Sequence, residues 1–422
     1  MPARRLIYSY TDMLFDLGGT VIRVLLTGAL VMAGMAGAAD GRVALYAGLG
    51  PELTTYRVDV AGATLEEVGA VTVPENVQEA WPHPSRKFLY VAWSNNRKGA
   101  EGRHGVTAFR IDPGNGVLRQ HGQPIAVAAR SVFLTVDGKG KHIVVAYNEP
   151  SKATVHRIAD DGTLGAEVPQ PGGLDFGVYA HQVRVDPSNQ LVMVVTRGNG
   201  PPASQQVDPG AIKVYGYKDG VLSNRASIAP GGGHNFQPRH LEFHPTRPFA
   251  YVTLEGQNKL QAYRLDKGTM SAAPLFTKET LVNPGRMASQ ATSTLHAHPT
   301  GRFLYVGNRG MGKTEFKGKR VLGDWENSIA VYAINQESGE PTLIQNADTH
   351  GVHPRTFALD PSGRMLVVAN MEGTLVRNGE EVRSVAATLS VFRIGGDGKL
   401  DFVRKYDQER GGLFWTGMVA LP

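Results

Sequence analysis

One histidine and two arginines stand at the same place in a recurring motif. The motif ends in Asp-Pro or His-Pro. Six positions before its proline the chain carries Gln78, His181, Arg239, Ser293 and Arg355 in five copies. A sixth copy, with Gly138 in place of proline, has Val132 there. An imidazole exchanges protons near neutral pH. A guanidinium grips a carboxylate or phosphate with two parallel hydrogen bonds, or steadies negative charge that develops during a reaction. A second set lies ten positions after the same proline: Ser94, Asn148, Arg197, Glu255, Arg309 and Met371, with Gly50 as the equivalent near the N-terminus. One carboxylate among cations, opposite a histidine, is a combination suited to acid–base work on an anionic small molecule.

The elements that must position these residues are strands. The segment before each proline alternates, and the segment after it is a continuous apolar run, as in Phe249-Ala-Tyr-Val252, Phe303-Leu-Tyr-Val306 and Met365-Leu-Val-Val368. Such a run predicts a strand covered on both faces. Proline at the turn fixes φ and removes a ladder donor where none is needed. A third strand follows each pair and centres on Tyr56, Phe109, His156, Tyr215, Tyr263, Tyr332 and Phe392, at steps of 47 to 69 residues. Repeats of roughly 40–50 residues built from several short strands indicate propeller blades.

The expected fold is therefore all-β, a seven-bladed β-propeller in one domain over residues 40–422. Six motifs leave Tyr56 without a first strand. Val43-Ala-Leu-Tyr46 matches a second strand, and Phe414-Trp-Thr-Gly-Met-Val419 matches a first strand. One blade is thus assembled from both chain ends, which hides two sheet edges. Trp415 or Thr416 then takes the seventh place of the first ring. First strands line the axis, so residues in equal register gather on one rim. Second strands run the opposite way and end at that rim, which sets Glu255 beside Arg239 and brings Arg197 and Arg309 from the neighbouring blades. The stretches Arg309–Asp324 and Glu372–Ser384 read as surface-loop insertions.

Composition narrows the partners. The chain has 422 residues, net charge +6 and no Cys, so disulfides and thiolate metal sites are excluded. No polybasic block accompanies the charge, which fits a small anion and gives no reason to expect nucleic acid. Arg23, the apolar run Val24 to Met35 and Ala36-Gly37-Ala38 have the order of a cleaved export signal. That assigns residues 1–38 to a leader, a periplasmic or secreted location and no lasting membrane insertion. Asp12 and Asp16 are unusual in such a leader. A translation start near Val21, or a cytoplasmic protein with a start-site artefact, is the alternative.

Several segments resemble one family. Gln237-Pro-Arg-His-Leu-Glu-Phe-His-Pro245 followed by Tyr251-Val-Thr-Leu-Glu255, the segment His353-Pro-Arg-Thr-Phe-Ala-Leu-Asp-Pro-Ser-Gly363, and Ala180-His181 are similar to the seven-bladed lactonases typified by the propeller type of 6-phosphogluconolactonase. The resemblance implies hydrolysis of a sugar lactone with no cofactor and no metal. It implies His181, Arg239, Glu255 and Arg355 as the catalytic set, and a related muconate-lactonizing branch uses a similar set. Arg197, Arg309, Gln78 and Trp415 are the expected substrate contacts. His181 is the expected base for water, and Glu255 orients that water or replaces His181 as base. One arginine stabilises the oxyanion while the other holds a substrate carboxylate or phosphate. Tyr179, where many relatives have histidine, and Arg197, where many have an acid, depart from the family pattern. The remaining histidines have plainer readings. His83, His244 and His298 are turn residues, His240 is structural and faces away from Arg239, and His296 with His298 lacks a third metal ligand. A lactonizing isomerase and an exported, non-catalytic binding propeller are the competing functions; a monomer or weak dimer is the expected assembly.

Overall fold

The computed structural model describes residues 42–199, 209–266, 268–285, 289–310, 312–408 and 412–422. The expected leader, residues 1–38, lies outside them. Gly41–Pro422 forms one compact unit. Seven antiparallel sheets of four or five strands follow one another along the chain. Blades one to six begin with the inner strands Asn76–Pro82, Ser131–Val136, Ala180–Val185, Pro238–Phe243, Gln290–Ala297 and Pro354–Leu359. The closing blade takes its inner strand, Leu413–Ala420, from the C-terminus and pairs it with Val43–Leu49 from the N-terminus.

The core shows how the ring closes. Seven clusters of buried apolar side chains can be traced, and each mixes two adjacent blades. Alternation along the second strands produces this arrangement, because successive side chains point to opposite faces. In Phe88–Ser94, Leu89, Val91 and Trp93 pack toward the closing blade, whereas Phe88, Tyr90 and Ala92 pack toward blade two. In Val43–Leu49, Ala44 and Tyr46 face blade one, and Val43, Leu45 and Ala47 face blade six. Both faces are therefore buried, which is why these strands read as unbroken apolar runs.

Polar latches repeat between blades. The hydroxyls of Tyr46, Tyr90, Tyr251 and Tyr305 donate to the carbonyls of Gly116, Gly162, Gly339 and Gly398, each in the outer turn of the next blade, at 2.8–3.2 Å. The turn histidines bridge blades as well. His83 Nε2 and His298 Nε2 lie 3.0 and 2.8 Å from the carbonyls of Gly140 and Gly363. His83 and His298 are the turn residues that their place before proline implied.

The two insertions differ from the expectation of loops. Lys313–Phe316 pairs with Lys319–Leu322, and Thr374–Asn378 pairs with Glu381–Val385. The two hairpins then meet through Leu322 and Val376 in a small extra sheet. Short polar hairpins carry too little apolar periodicity to be distinguished from loops in sequence; mutual pairing is what orders them.

Candidate active site

The inner strands share an irregularity that defines the site. Each of the seven carries one extra residue relative to its second strand, at the same level. The extra residue is Gln78, Val132, His181, Arg239 or Arg355 in five blades, falls at Ser293–Thr294 in blade five, and is Phe414 in the closing blade. A β-bulge bends its strand and re-aims the side chain there. The ring read from proline spacing is thus a ring of bulges. Phe414 takes the seventh place, rather than Trp415 or Thr416. The Arg355 guanidinium lies over the Phe414 ring at 3.8 Å.

Three blades prepare the bulge in the same way. Tyr179, Gln237 and His353, each two residues before His181, Arg239 and Arg355, have φ of 58°, 45° and 60°. Left-handed backbone is unfavourable for such residues and clusters at functional sites. Their carbonyls accept hydrogen bonds from the N–H groups of Arg197, Glu255 and Met371 at 2.9, 2.9 and 3.0 Å. These are members of the second ring, so the two rings are tied together at one rim.

Glu255 is the hub. Arg197 Nη1 donates to its Oε2 at 2.9 Å and Arg309 Nη2 to its Oε1 at 2.6 Å; Arg239 Nε stands 3.0 Å from Oε1. Burial alone would raise the Glu255 pKa, but the guanidiniums of Arg309, Arg239 and Arg197 overcome this and hold it far below the usual carboxylate range. Arg309 also donates to the Thr292 carbonyl at 3.0 Å, and Arg197 covers the Tyr179 ring at 4.4 Å. Arg239 is 1% exposed. His181, partly exposed, sits among these cations. Burial first, then Arg239, Arg355, Arg197 and Arg309, pushes its pKa well below 6.5, so the imidazole is neutral at physiological pH. Burial and the charge of Arg309 lower Arg355 to about 9, which leaves it cationic. Among the described residues, the buried atoms of this rim without a hydrogen-bond partner include His181 Nδ1, Arg239 Nε and Nη1, Arg309 Nε and Arg355 Nε.

Comparison with known proteins shows the family and the fold. Residues 42–378 match the family described as lactonase, 7-bladed beta-propeller. The chain belongs to the lactonase family of seven-bladed β-propellers. A 6-phosphogluconolactonase of Bacillus subtilis (strain 168) is 30% identical over 298 residues, 68% of this chain and 78% of that relative. One of Serratia proteamaculans is 22% identical over 373 residues, 87% and 96% of the two chains. Among solved structures, the periplasmic gluconolactonase of Pseudomonas aeruginosa has a TM-score of 0.67 at 22% identity, covering 90% of this chain and 100% of that one; this last likeness is one of fold.

In this lactonase His240 departs from the orientation that strict alternation implies. His240 does not turn from the site: its ring is 5.3 Å from His181, packs edge-on to Phe133 at 5.7 Å, and lines the axial channel. The bulge is the reason, because alternation restarts after the extra residue. The same effect places Glu79, beside Gln78, and Trp415, beside Phe414, on the channel wall below the rim. Glu79 accepts from the Ala80 backbone N–H at 3.2 Å and from the Trp415 indole. Burial raises its pKa to about 8, so it is a protonated acid at pH 7. Gln78 is buried and accepts a hydrogen bond from Arg130 Nε at 2.9 Å. Arg130 escaped the sequence reading, although a cation directly before the inner strand of blade two was its signal. His296 Nδ1 lies deeper, 3.4 Å from Glu242, which also forms a two-pronged pair with Arg184.

Proposed function

We propose that this rim hydrolyses a sugar lactone bearing an anionic substituent, with 6-phosphogluconolactone as the preferred substrate. One observation carries the reading: His181 lies within electrostatic reach of Arg239 and Arg355, and each of the three keeps a buried polar atom without a hydrogen-bond partner, which a polar ligand would satisfy. Neutral His181 takes a proton from water as the water oxygen bonds to the lactone carbonyl carbon. The carbonyl oxygen gains negative charge, and Arg239 Nη1 is the donor nearest in character to an oxyanion hole. Collapse of the intermediate breaks the bond to the ring oxygen, which leaves as a hydroxyl with the proton from His181. The product is the open-chain aldonic acid, which ionises. The dense positive charge that makes free His181 a weak base is offset when an anionic substrate binds, so binding strengthens the base. Glu255 is not the base; three guanidiniums hold its charge, and its role is to fix Arg197, Arg239 and Arg309 in place. Gln78, Arg197, Arg309 and Arg355 orient the substrate.

The test is hydrolysis of 6-phosphogluconolactone and gluconolactone near pH 6.5 by the protein and by R239A. Removing one oxyanion donor costs about 100- to 1,000-fold in kcat. Equal, background rates for both proteins would reject the hydrolase and leave a binding propeller. Export is part of the same proposal, supported by the order of Arg23, Val24 to Met35 and Ala36-Gly37-Ala38. Among the described residues no helix is long and apolar enough to cross a membrane. N-terminal sequencing of the mature protein, with a start near Ala39 expected, decides it.

A further inference from the structure

Beside the rim, between blades one, two and three, lies a cavity of about 440 Å³. Its wall includes Arg97, Lys98, His104, Arg130, Asn148 and Tyr179. Two of the cations are already neutralised: Arg97 donates to Glu101 at 2.7 Å, and Lys98 pairs with Glu149. His104 is engaged with Ser94 Oγ at 2.8 Å, and its pKa is lowered by burial. Arg130 differs. Its Nε donates to Gln78, and among the described residues no carboxylate lies within ion-pair distance of its guanidinium. Glu149, on the same wall, acts on Arg130 only from beyond ion-pair distance and is paired with Lys98; a largely buried cation so weakly compensated is costly unless a ligand supplies the charge. The cavity is linked to the rim through Tyr179, on its wall, and through Gln78, which Arg130 holds. Gln78 is the bulge residue of blade one, and Tyr179, two residues before His181, stacks under Arg197. Arg130 is close enough to Arg355 for its charge to weaken that guanidinium's hold on its proton.

Building on the hydrolase reading, we propose that this cavity seats the phosphate monoester at the end of the substrate remote from the lactone carbonyl, with Arg130 as its gripping residue. The arrangement separates two tasks: Arg239 and Arg355 face the reacting ester, and Arg130, anchored by Gln78, selects for the charged tail. Tyr179 and Arg197, the two departures from the family pattern, stand where the two parts meet.

The experiment compares kcat and KM of the whole protein, R130Q and R130K on 6-phosphogluconolactone and on unphosphorylated gluconolactone, with calorimetric binding of 6-phosphogluconate and gluconate alongside. Loss of a charge-assisted, two-pronged grip predicts a fall of about 30-fold in kcat/KM for the phosphorylated lactone in R130Q, carried mainly by KM, and less than threefold for gluconolactone. R130K keeps the charge without the fork and recovers part of the loss. Equal effects on both lactones, no effect on either, or no preference for phosphate in the unaltered protein would overturn the proposal while leaving the hydrolase intact. If neither lactone is turned over but 6-phosphogluconate binds in an Arg130-dependent way, the hydrolase reading fails and the phosphate seat stands.

Discussion

At the residue scale the site rests on unequal charges: Arg197, Arg239 and Arg309 hold one ionised carboxylate, Glu255, while Arg355 and Arg239 act on one neutral acid, Glu79. His181 answers to that excess. Its imidazole is expected to stay neutral at pH 6, and an NMR titration should show its midpoint well below 6.5. R355Q removes one of the repelling charges and should raise the midpoint; an unshifted midpoint would contradict the electrostatic account. His181, His240 and His353 are all depressed by burial first. The unfolded chain therefore takes up protons first as pH drops below 6.5, and this part of stability is present above 6.5 and is lost toward acid. Glu79 works in the other direction. Its pKa is 4.5 when exposed and about 8 in the fold, so folding takes up a proton between these values and stability declines as pH rises across them. Thermal melts of E79Q should lose less than those of the unaltered protein between pH 5 and pH 8.5. Parallel pH dependences would show that Glu79 is ionised in the fold.

At the element scale the outer turns are as constrained as the inner strands. Gly339 has φ of 76°, and a Cβ there would come within 2.6 Å of the Phe249 ring in the preceding blade. Gly398 against Phe303 and Gly162 against Phe88 repeat the arrangement. Backbone strain of about 1–2 kcal/mol and overpacking of about 1–3 kcal/mol make Gly339→Ala destabilising by about 2–4 kcal/mol. Denaturant unfolding measures this, and since the turn lies on the outer edge of its blade, kcat should be unchanged below the transition. The bulges were only half legible in sequence. The spacing from proline located the residue that each bulge carries, and Arg239, His181 and Arg355 followed from it. The bulge itself left no mark, since an extra residue does not alter composition, and strict alternation therefore sent His240 to the wrong side.

At the scale of the whole molecule, the closing blade joins chain ends with a strand pairing from Val43↔Ala420 to Leu49↔Leu413. Its inner strand also supplies Phe414 under Arg355 and Trp415 to Glu79. A chain ending at Gly412 exposes the inner face of that blade, unpairs Val43–Leu49 and removes both contacts. It should elute as aggregate in size-exclusion chromatography and lose cooperative melting. A monomeric, cooperatively melting truncation would show that the ring does not depend on this closure.

The amino-acid sequence alone determined the number of blades, the composite blade, and the membership of the two rings except for the seventh inner place, which the bulge gives to Phe414, because these depend on periodicity and spacing, which are local. It also carried the identities of His181, Arg239, Glu255 and Arg355. The tertiary structure decided what lies across blades: that Glu255 is shared by three guanidiniums, that Glu79 is a buried acid, that His240 packs tilted against His181, and that Arg130 reaches a cavity where the carboxylate of Glu149 stays beyond ion-pair distance. Most of those properties depend on distances between residues some fifty or more positions apart, and the physical reason they exist is the radial packing that brings such residues to a common axis of low dielectric.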